Sequence, residues 1–242
     1  MSEANEEFLR LILHSQLSIK SINMYVERMG KTVDYFSCGS PLDCLGNRLL
    51  KRAFDFVCSL VFLCTLFPVL VIIVAIMTES TMPGRLFFVQ KRTGWGGRTF
   101  RCIKFRTMRA SADADTRQAT RTDDRITKWG HIMRKTNLDE MPQFLNVLMG
   151  DMSIVGPRPH MVKHTEEYSR QIDEYMVRHC IKPGITGWSQ VNGFRGETPR
   201  LADMKNRVKY DIWYIKNWRF TLDLYIIWKT VESCFFTDAK AY

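Results

Sequence analysis

Two adjacent carboxylates, Asp139 and Glu140, are followed at once by Met141 and Pro142, and the proline bears on what they can do. Proline lacks an N–H and fits only the first turn of a helix, so a helix here starts no earlier than Asp139 and carries both acids at its N-terminus. Free N–H groups and the positive end of the helix dipole favour ionised carboxylates there, and they also draw phosphate. One acid so placed suits a nucleophile. Its neighbour offers oxygen to Mg²⁺, which binds through one or two carboxylates plus substrate phosphates and relieves repulsion between an anionic nucleophile and a diphosphate. Alone, the pair is ordinary, because acids in a first helical turn are common capping residues. Its company raises it: Lys104 and Arg106 in KFRTM, Arg134 ahead of the pair, and Arg158 in GPRP supply cations for a substrate's phosphates.

Other polar groupings carry less. His160 and His164 stand one helical turn apart after GPRP, but no third ligand at a zinc-like spacing accompanies them, so a structural or substrate-facing role is expected. Gly94, Gly96 and Gly97 in GWGG lack the pattern of a phosphate-binding or dinucleotide loop and mark a hairpin turn. The seven cysteines are odd in number and show no CxxC spacing, which argues for reduced thiols rather than a disulfide framework or a zinc site. Positive charge is concentrated: Arg85 to Lys135 holds 14 Lys and Arg against four Asp, in a chain of net charge +10. Such a segment implies an anionic partner, whether nucleic acid, lipid headgroups or substrate phosphates. A nucleic-acid binder or a non-enzymatic basic membrane-surface scaffold leaves Asp139, Glu140 and the apolar segment described next without a role.

The elements that position these residues begin with Phe56 to Met77, 22 residues without a charge and long enough to cross a bilayer as one helix. Pro68 near its middle predicts a kink or break around Leu66 and Phe67. Lys51 and Arg52 precede the stretch and Arg85, Lys91, Arg92 and Arg98 follow it, so both flanks are basic. A crossing helix leaves its positive excess on one side; the doubly basic flank favours a re-entrant helix over residues 51–78 that returns to the face it entered. Ahead of it, residues 1–48 read as an amphipathic helix over 5–28 followed by a Gly-, Pro- and Ser-punctuated linker over 30–47, with the main domain spanning 49–242. Leu86 to Gln90 and Thr99 to Phe105 form a hairpin, expected to be the only sheet, and helices are expected over 126–134, 139–148, 161–180 and 201–213. Between Lys209 and Phe236, aromatic residues alternate with Lys216, Arg219 and Lys229, which fits interfacial amphipathic helices about as well as an aromatic core pair. The fold class is therefore mainly α with a small β-hairpin.

At this point the motifs resemble a known family, the bacterial sugar transferases, which are monotopic phosphoglycosyl transferases. The resemblance runs from about Lys51 to Tyr242 and rests on KRxFD (51–55), the proline-broken apolar helix, KFRTM (104–108), LDExPQ (138–143), GPRP (156–159) and KPGITGWSQVNG (182–193). It implies that Asp139 is the nucleophile, attacking the sugar-bearing phosphate of a UDP-sugar to release UMP and form an aspartyl-phosphosugar. It implies that Glu140 is the Mg²⁺ ligand and that Lys104, Arg106, Arg134, Pro157 and Arg158 contact phosphate or organise the site. Undecaprenyl phosphate then takes the sugar phosphate, at the cytoplasmic face of the bacterial inner membrane, to start exopolysaccharide or capsule synthesis. Within the family, NGFRGET (192–198), RPHMVKHTEEYS (158–169) and YDIWYIKNW (210–218) look most like glucose phosphotransferases, with UDP-galactose the alternative donor. The implied partners are UDP-sugar, undecaprenyl phosphate and membrane lipid, with no nucleic acid, and with a homo-oligomer left open. Two departures stand out: some 48 residues precede Leu49, as in a shortened large-type member, and the break is Phe67-Pro68 where many small members have Ser-Pro.

Overall fold

The computed structural model describes residues 38–109, 123–196 and 200–236. The helix expected over 5–28 and the first part of the linker lie outside the described residues. Ser40 caps a 3₁₀ turn, Pro41–Asp43, and the first long helix, α1, begins at Leu45 and ends at Thr81. The hairpin follows as β1 (Phe87–Thr93) and β2 (Thr99–Phe105), paired antiparallel with Phe87 opposite Phe105 and Thr93 opposite Thr99. The GWGG turn joins them, with Gly96 and Gly97 at φ of 66° and 73°, where side chains are strained. Then come α2 (Lys128–Lys135), α3 (Gln143–Met149), β3 (Ser153–Val155), α4 (Val162–Gln171), β4 (Gly184–Thr186), α5 (Trp188–Val191), α6 (Leu201–Lys216) and α7 (Phe220–Phe236). Helix dominates, as expected.

A second sheet corrects the expectation of a single hairpin: β3 and β4 pair in parallel, Ser153 with Gly184 and Val155 with Thr186. These strands are too short to show alternation, and their glycines disguise them as loop. The glycines are what let them meet. A β-carbon on Gly184 would stand 2.1 Å from Gly156 N, and one on Gly156 would stand 2.5 Å from Lys182 O. A second correction concerns the cysteines, since Cys38 and Cys180 form a disulfide across 142 residues of sequence. Spacing rules cannot see a pair brought together only by the fold.

Helix α1 continues through Pro68, so the expected break does not occur; the proline removes one intrahelical hydrogen bond from a helix of 37 residues. One stripe of α1 packs on the domain along its whole length. Its charged start is tied down by Lys51, Arg52 and Asp55, which bond α7, α3 and β3. Phe62 meets Phe144 with ring centroids 4.4 Å apart, and Phe67 stacks on Phe105 at 6.0 Å. Val74 and Met82 are buried with Phe105 and Met133. The opposite stripe is apolar and bare: Val57, Val61, Leu66, Val69, Ile72 and Ile76 each keep more than half their surface exposed. A patch of this kind marks a surface that another apolar phase covers, and α1 is long and apolar enough to enter a membrane. The main core lies beneath the start of α1, where Val147, Met152, Val155, Tyr214, Ile215, Trp218 and Ile226 meet.

The aromatic run near the C-terminus divides between the two readings given for it. Tyr214 and Trp218 are core residues, whereas Trp213, Tyr225 and Trp228 are exposed.

Candidate active site

Asp139 and Glu140 sit on a single 3₁₀ turn, Leu138–Glu140, ahead of α3 rather than inside it. Pro142 takes the N-cap position and α3 begins at Gln143, four residues after the earliest start its ring permits. Asn137 opens the turn at φ 60°, a left-handed conformation that asparagine tolerates better than most residues. Both acids are buried. The turn is fixed from two sides. On one, Thr127 caps α2 by accepting from Gly130 N at 3.0 Å, and Gly130 lets α2 press on β2's end, since a β-carbon there would fall 2.0 Å from Thr107 O. On the other, Asn146 of α3 binds the free edge of β2 like a third strand: Ile103 N donates to Asn146 Oδ1 at 3.0 Å, and Asn146 Nδ2 donates to Arg101 O at 2.7 Å. That clamp sets the acids beside Lys104, the next residue of β2.

The two acids then part company. Glu140 is held by Lys104 Nζ at 2.6 Å and by both terminal nitrogens of Arg158, at 2.6 and 3.0 Å. Asp139 has no hydrogen bond or ion pair among the described residues, although Lys104, Arg134 and Arg158 all act on it through space. Burial opposes ionisation of both. For Glu140 the contact cations Arg158 and Lys104 overrule it and hold the carboxyl well below its usual range. For Asp139 burial and the charge of Glu140 prevail and push the pKa up. The arrangement leaves one buried carboxylate without a hydrogen-bond partner among the described residues, in a field of positive charge. Such a group can attack an electrophile whose own negative charge the neighbouring cations tolerate.

Of the expected site residues, Lys104 and Arg158 reach the acids directly. Arg134 donates through Nε to Thr107 Oγ1 at 2.9 Å and acts on Asp139 electrostatically. Pro157 acts through its backbone, accepting from Gly184 N at 3.0 Å, which locks the GPRP loop onto β4. Arg106 instead caps the end of α1 by donating to Met82 O. His160 is structural: Tyr175 Oη and Arg178 Nη1 lie 2.6 and 2.7 Å from its Nδ1, and burial beside Arg178 keeps it neutral.

Three supporting residues escaped the sequence reading. Arg92 donates to Pro159 O at 2.7 Å, and Arg178, paired with Asp211 at 2.7 Å, donates to Arg158 O at 2.8 Å, so both steady the loop that presents Arg158. Asn146 is the third. Asn146 and Arg178 carry a signal, a polar side chain inside an apolar run (FLNVLM, YMVRHC), because a buried polar group must be paired with something, whereas Arg92 in QKRTG carries none.

Among the described residues no three His, Cys, Asp or Glu side chains converge. The oxygen donors of Asp139 and Glu140 are of the type that suits a hard cation such as Mg²⁺, but both Glu140 oxygens are held by Lys104 and Arg158, so Glu140 would have to give up one of those contacts to ligate a metal whose shell substrate phosphates complete.

The family model described as bacterial sugar transferase matches residues 46–237. The chain is 48% identical over 194 residues to the UDP-glucose:undecaprenyl-phosphate glucose-1-phosphate transferase of Escherichia coli, covering 80% of this chain and 42% of that protein. With the protein of that name from Xanthomonas campestris it shares 50% identity over 179 residues, 73% of this chain and 37% of the other. With that from Caulobacter vibrioides it shares 44% over 201 residues, 83% and 75%. The chain thus spans about two fifths of the length of the first two relatives.

Proposed function

Because the chain belongs to the bacterial sugar transferase family, we propose that it transfers glucose 1-phosphate from UDP-glucose to undecaprenyl phosphate, the opening step of exopolysaccharide or capsule synthesis. The observation that carries this reading is the division of labour in the acid pair: Glu140 binds the cations, and Asp139 has no hydrogen bond or ion pair among the described residues. An Asp139 oxygen attacks the sugar-bearing phosphorus, the bond to the bridging oxygen breaks, and UMP leaves with that electron pair. The sugar phosphate is then held on Asp139 as an acyl phosphate. An oxygen of undecaprenyl phosphate attacks the same phosphorus, the acyl–phosphate bond breaks, and the carboxylate returns. Lys104, Arg158 and Arg134 offset the charge that gathers as anions approach one another. Mg²⁺, held by Glu140 with substrate phosphates, would supply further charge neutralisation.

The second substrate explains the bare face of α1. Both ends of this helix pack on the same domain, Lys51 through Asp223 and Met82 against Phe105 and Met133. A helix whose two ends serve one globular domain fits the re-entrant reading, with the exposed stripe in lipid. Trp213, Tyr225 and Trp228, with Lys216, Arg219 and Lys229 nearby, would then rest in the headgroup zone. Basic residues at both flanks of the apolar stretch favour the cytoplasmic face for the domain.

The test is UMP release from UDP-glucose and UDP-galactose, with undecaprenyl phosphate and Mg²⁺. Wild-type protein given donor alone should gain the mass of one hexose phosphate, and Asp139→Asn should gain none. A hexose phosphate on the variant would remove Asp139 as nucleophile.

A further inference from the structure

The far end of α3 from the catalytic turn carries a second gathering of positive charge. Arg52 donates there to Val147 O at 2.6 Å and Leu148 O at 2.9 Å. Lys182, in the segment before β4, reaches the same place and has no hydrogen bond or ion pair among the described residues. Gly150 ends the helix at φ 92°, a conformation suited to glycine. A β-carbon on it would lie 3.5 Å from Arg52 Nη2 and 3.6 Å from Lys182 Nζ, with no other group nearer. The two cationic nitrogens therefore stand no more than 7.1 Å apart (3.5 Å plus 3.6 Å), on either side of the bare backbone of Gly150. The neighbouring acids are engaged elsewhere: Asp55 accepts from Ile154 N at 3.0 Å and Asp151 from Asn146 Nδ2 at 3.4 Å. Burial, reinforced by Arg52 and opposed by Asp55 and Asp151, pulls Lys182 down to about 8. A tetrahedral oxyanion resting over the glycine, in contact with both nitrogens, would satisfy both cations and draw the ammonium back up.

The surroundings indicate what carries the oxyanion. Arg52 lies one turn before the charge-free stretch of α1 opens at Phe56, the level at which headgroups meet hydrocarbon if α1 enters a membrane. Leu49, Phe56 and Met149, each neighbouring this end of α3 in sequence or along α1, are exposed. Paired cations beside exposed apolar side chains fit an amphiphile with a phosphate head better than a phosphate free in water. We propose that Arg52 and Lys182, across the bare backbone of Gly150, bind the phosphate headgroup of an anionic membrane lipid at a site separate from the catalytic turn. The inference rests on the membrane reading of α1.

The full chain reconstituted in phosphatidylcholine vesicles tests it, with acetylation of Lys182 followed by peptide-resolved mass spectrometry across a pH series. Adding phosphatidic acid or undecaprenyl phosphate should move the labelling midpoint of Lys182 upward, and whichever lipid does so at lower mole fraction is the occupant. Lys182→Gln should cut the preference for anionic over neutral vesicles about fivefold. No shift with either lipid, or an equal shift with inorganic phosphate alone, overturns the site. Co-sedimentation separates the two readings: a chain that stays with the vesicles while Lys182 is unmoved sinks only the headgroup site, whereas a chain that does not associate with vesicles sinks the membrane reading and the site with it.

Discussion

Asp139 and Asp223 are both buried aspartates close to a lysine, and they do opposite things. Asp223 is saturated: Lys51 Nζ at 2.6 Å and Trp218 Nε1 at 3.0 Å donate to Oδ2, and Tyr214 Oη donates to Oδ1 at 2.6 Å. Those bonds join the start of α1 to α6 and α7, so the carboxylate works as a structural joint. Asp139 is also buried, but its neighbour Glu140 takes the contact cations, and its own oxygens have no hydrogen bond or ion pair among the described residues. A saturated buried charge holds a fold together, and an unsaturated one stores a cost that a substrate can relieve.

The largest effect separating the two should come from Asp139→Asn, with UMP release falling by at least about 10³-fold, as for other covalent nucleophiles. The same variant should melt no lower than wild type, and higher at neutral pH. The sign follows from linkage. A carboxyl whose folded pKa is raised above its unfolded value gives its full stability below the unfolded pKa and loses it as pH rises through the folded pKa. At neutral pH the ionised Asp139 therefore opposes folding, and a neutral amide removes the opposition. Asp223→Ala should do the reverse, costing about 3–5 kcal/mol by stranding Lys51 in the interior, measurable as a lowered thermal midpoint in detergent. If Asp223→Ala melted like wild type, the contrast would collapse.

Glu140→Gln tests the partition inside the pair. Without the glutamate charge, Lys104 and Arg158 face one another unopposed, and turnover should fall about 10–100-fold, a range typical of residues that orient a reacting group, with a weakened response to Mg²⁺. Asn146→Leu should cost about 1–3 kcal/mol, because it leaves Ile103 N–H and Arg101 C=O unpaired at the edge of β2. Its turnover should drop with it, since that clamp sets Lys104 beside the acids. Normal turnover in a destabilised Asn146→Leu would show that the clamp serves the fold alone.

What could be read from sequence followed from how locally each feature is encoded. The acids, KFRTM and GPRP are contiguous motifs, so the sequence already points to Lys104 and Arg158 as partners of the acid pair, and the hairpin shows through alternation and the GWGG turn. The β3–β4 pair was hidden because three-residue strands carry no period, and because Gly156 and Gly184 matter only where their backbones touch. Lys51–Asp223 and Cys38–Cys180 were hidden because sequence gives no distance between partners 172 and 142 residues apart. Pro142 set a true limit on where α3 could start, yet a 3₁₀ turn filled the gap, so the acids occupy a tighter turn than a helix N-terminus provides.

The smallest effect is also the most specific, because it concerns only how the acids share charge. If Asp139 is the nucleophile proposed above, it must be ionised to attack, so the rate of UMP release should rise with pH through a midpoint above the ordinary aspartate value. The charge of Glu140 helps to raise that midpoint, whereas Lys104, Arg134 and Arg158 lower it. Glu140→Gln removes the repulsion and frees two cations to turn toward Asp139, so both changes act in one direction: the acid limb of the residual activity should move to lower pH. A limb that stayed in place would mean that Asp139 and Glu140 do not sense each other's charge. A limb that moved up would mean that Glu140 had been supplying the cations to Asp139 rather than withholding them.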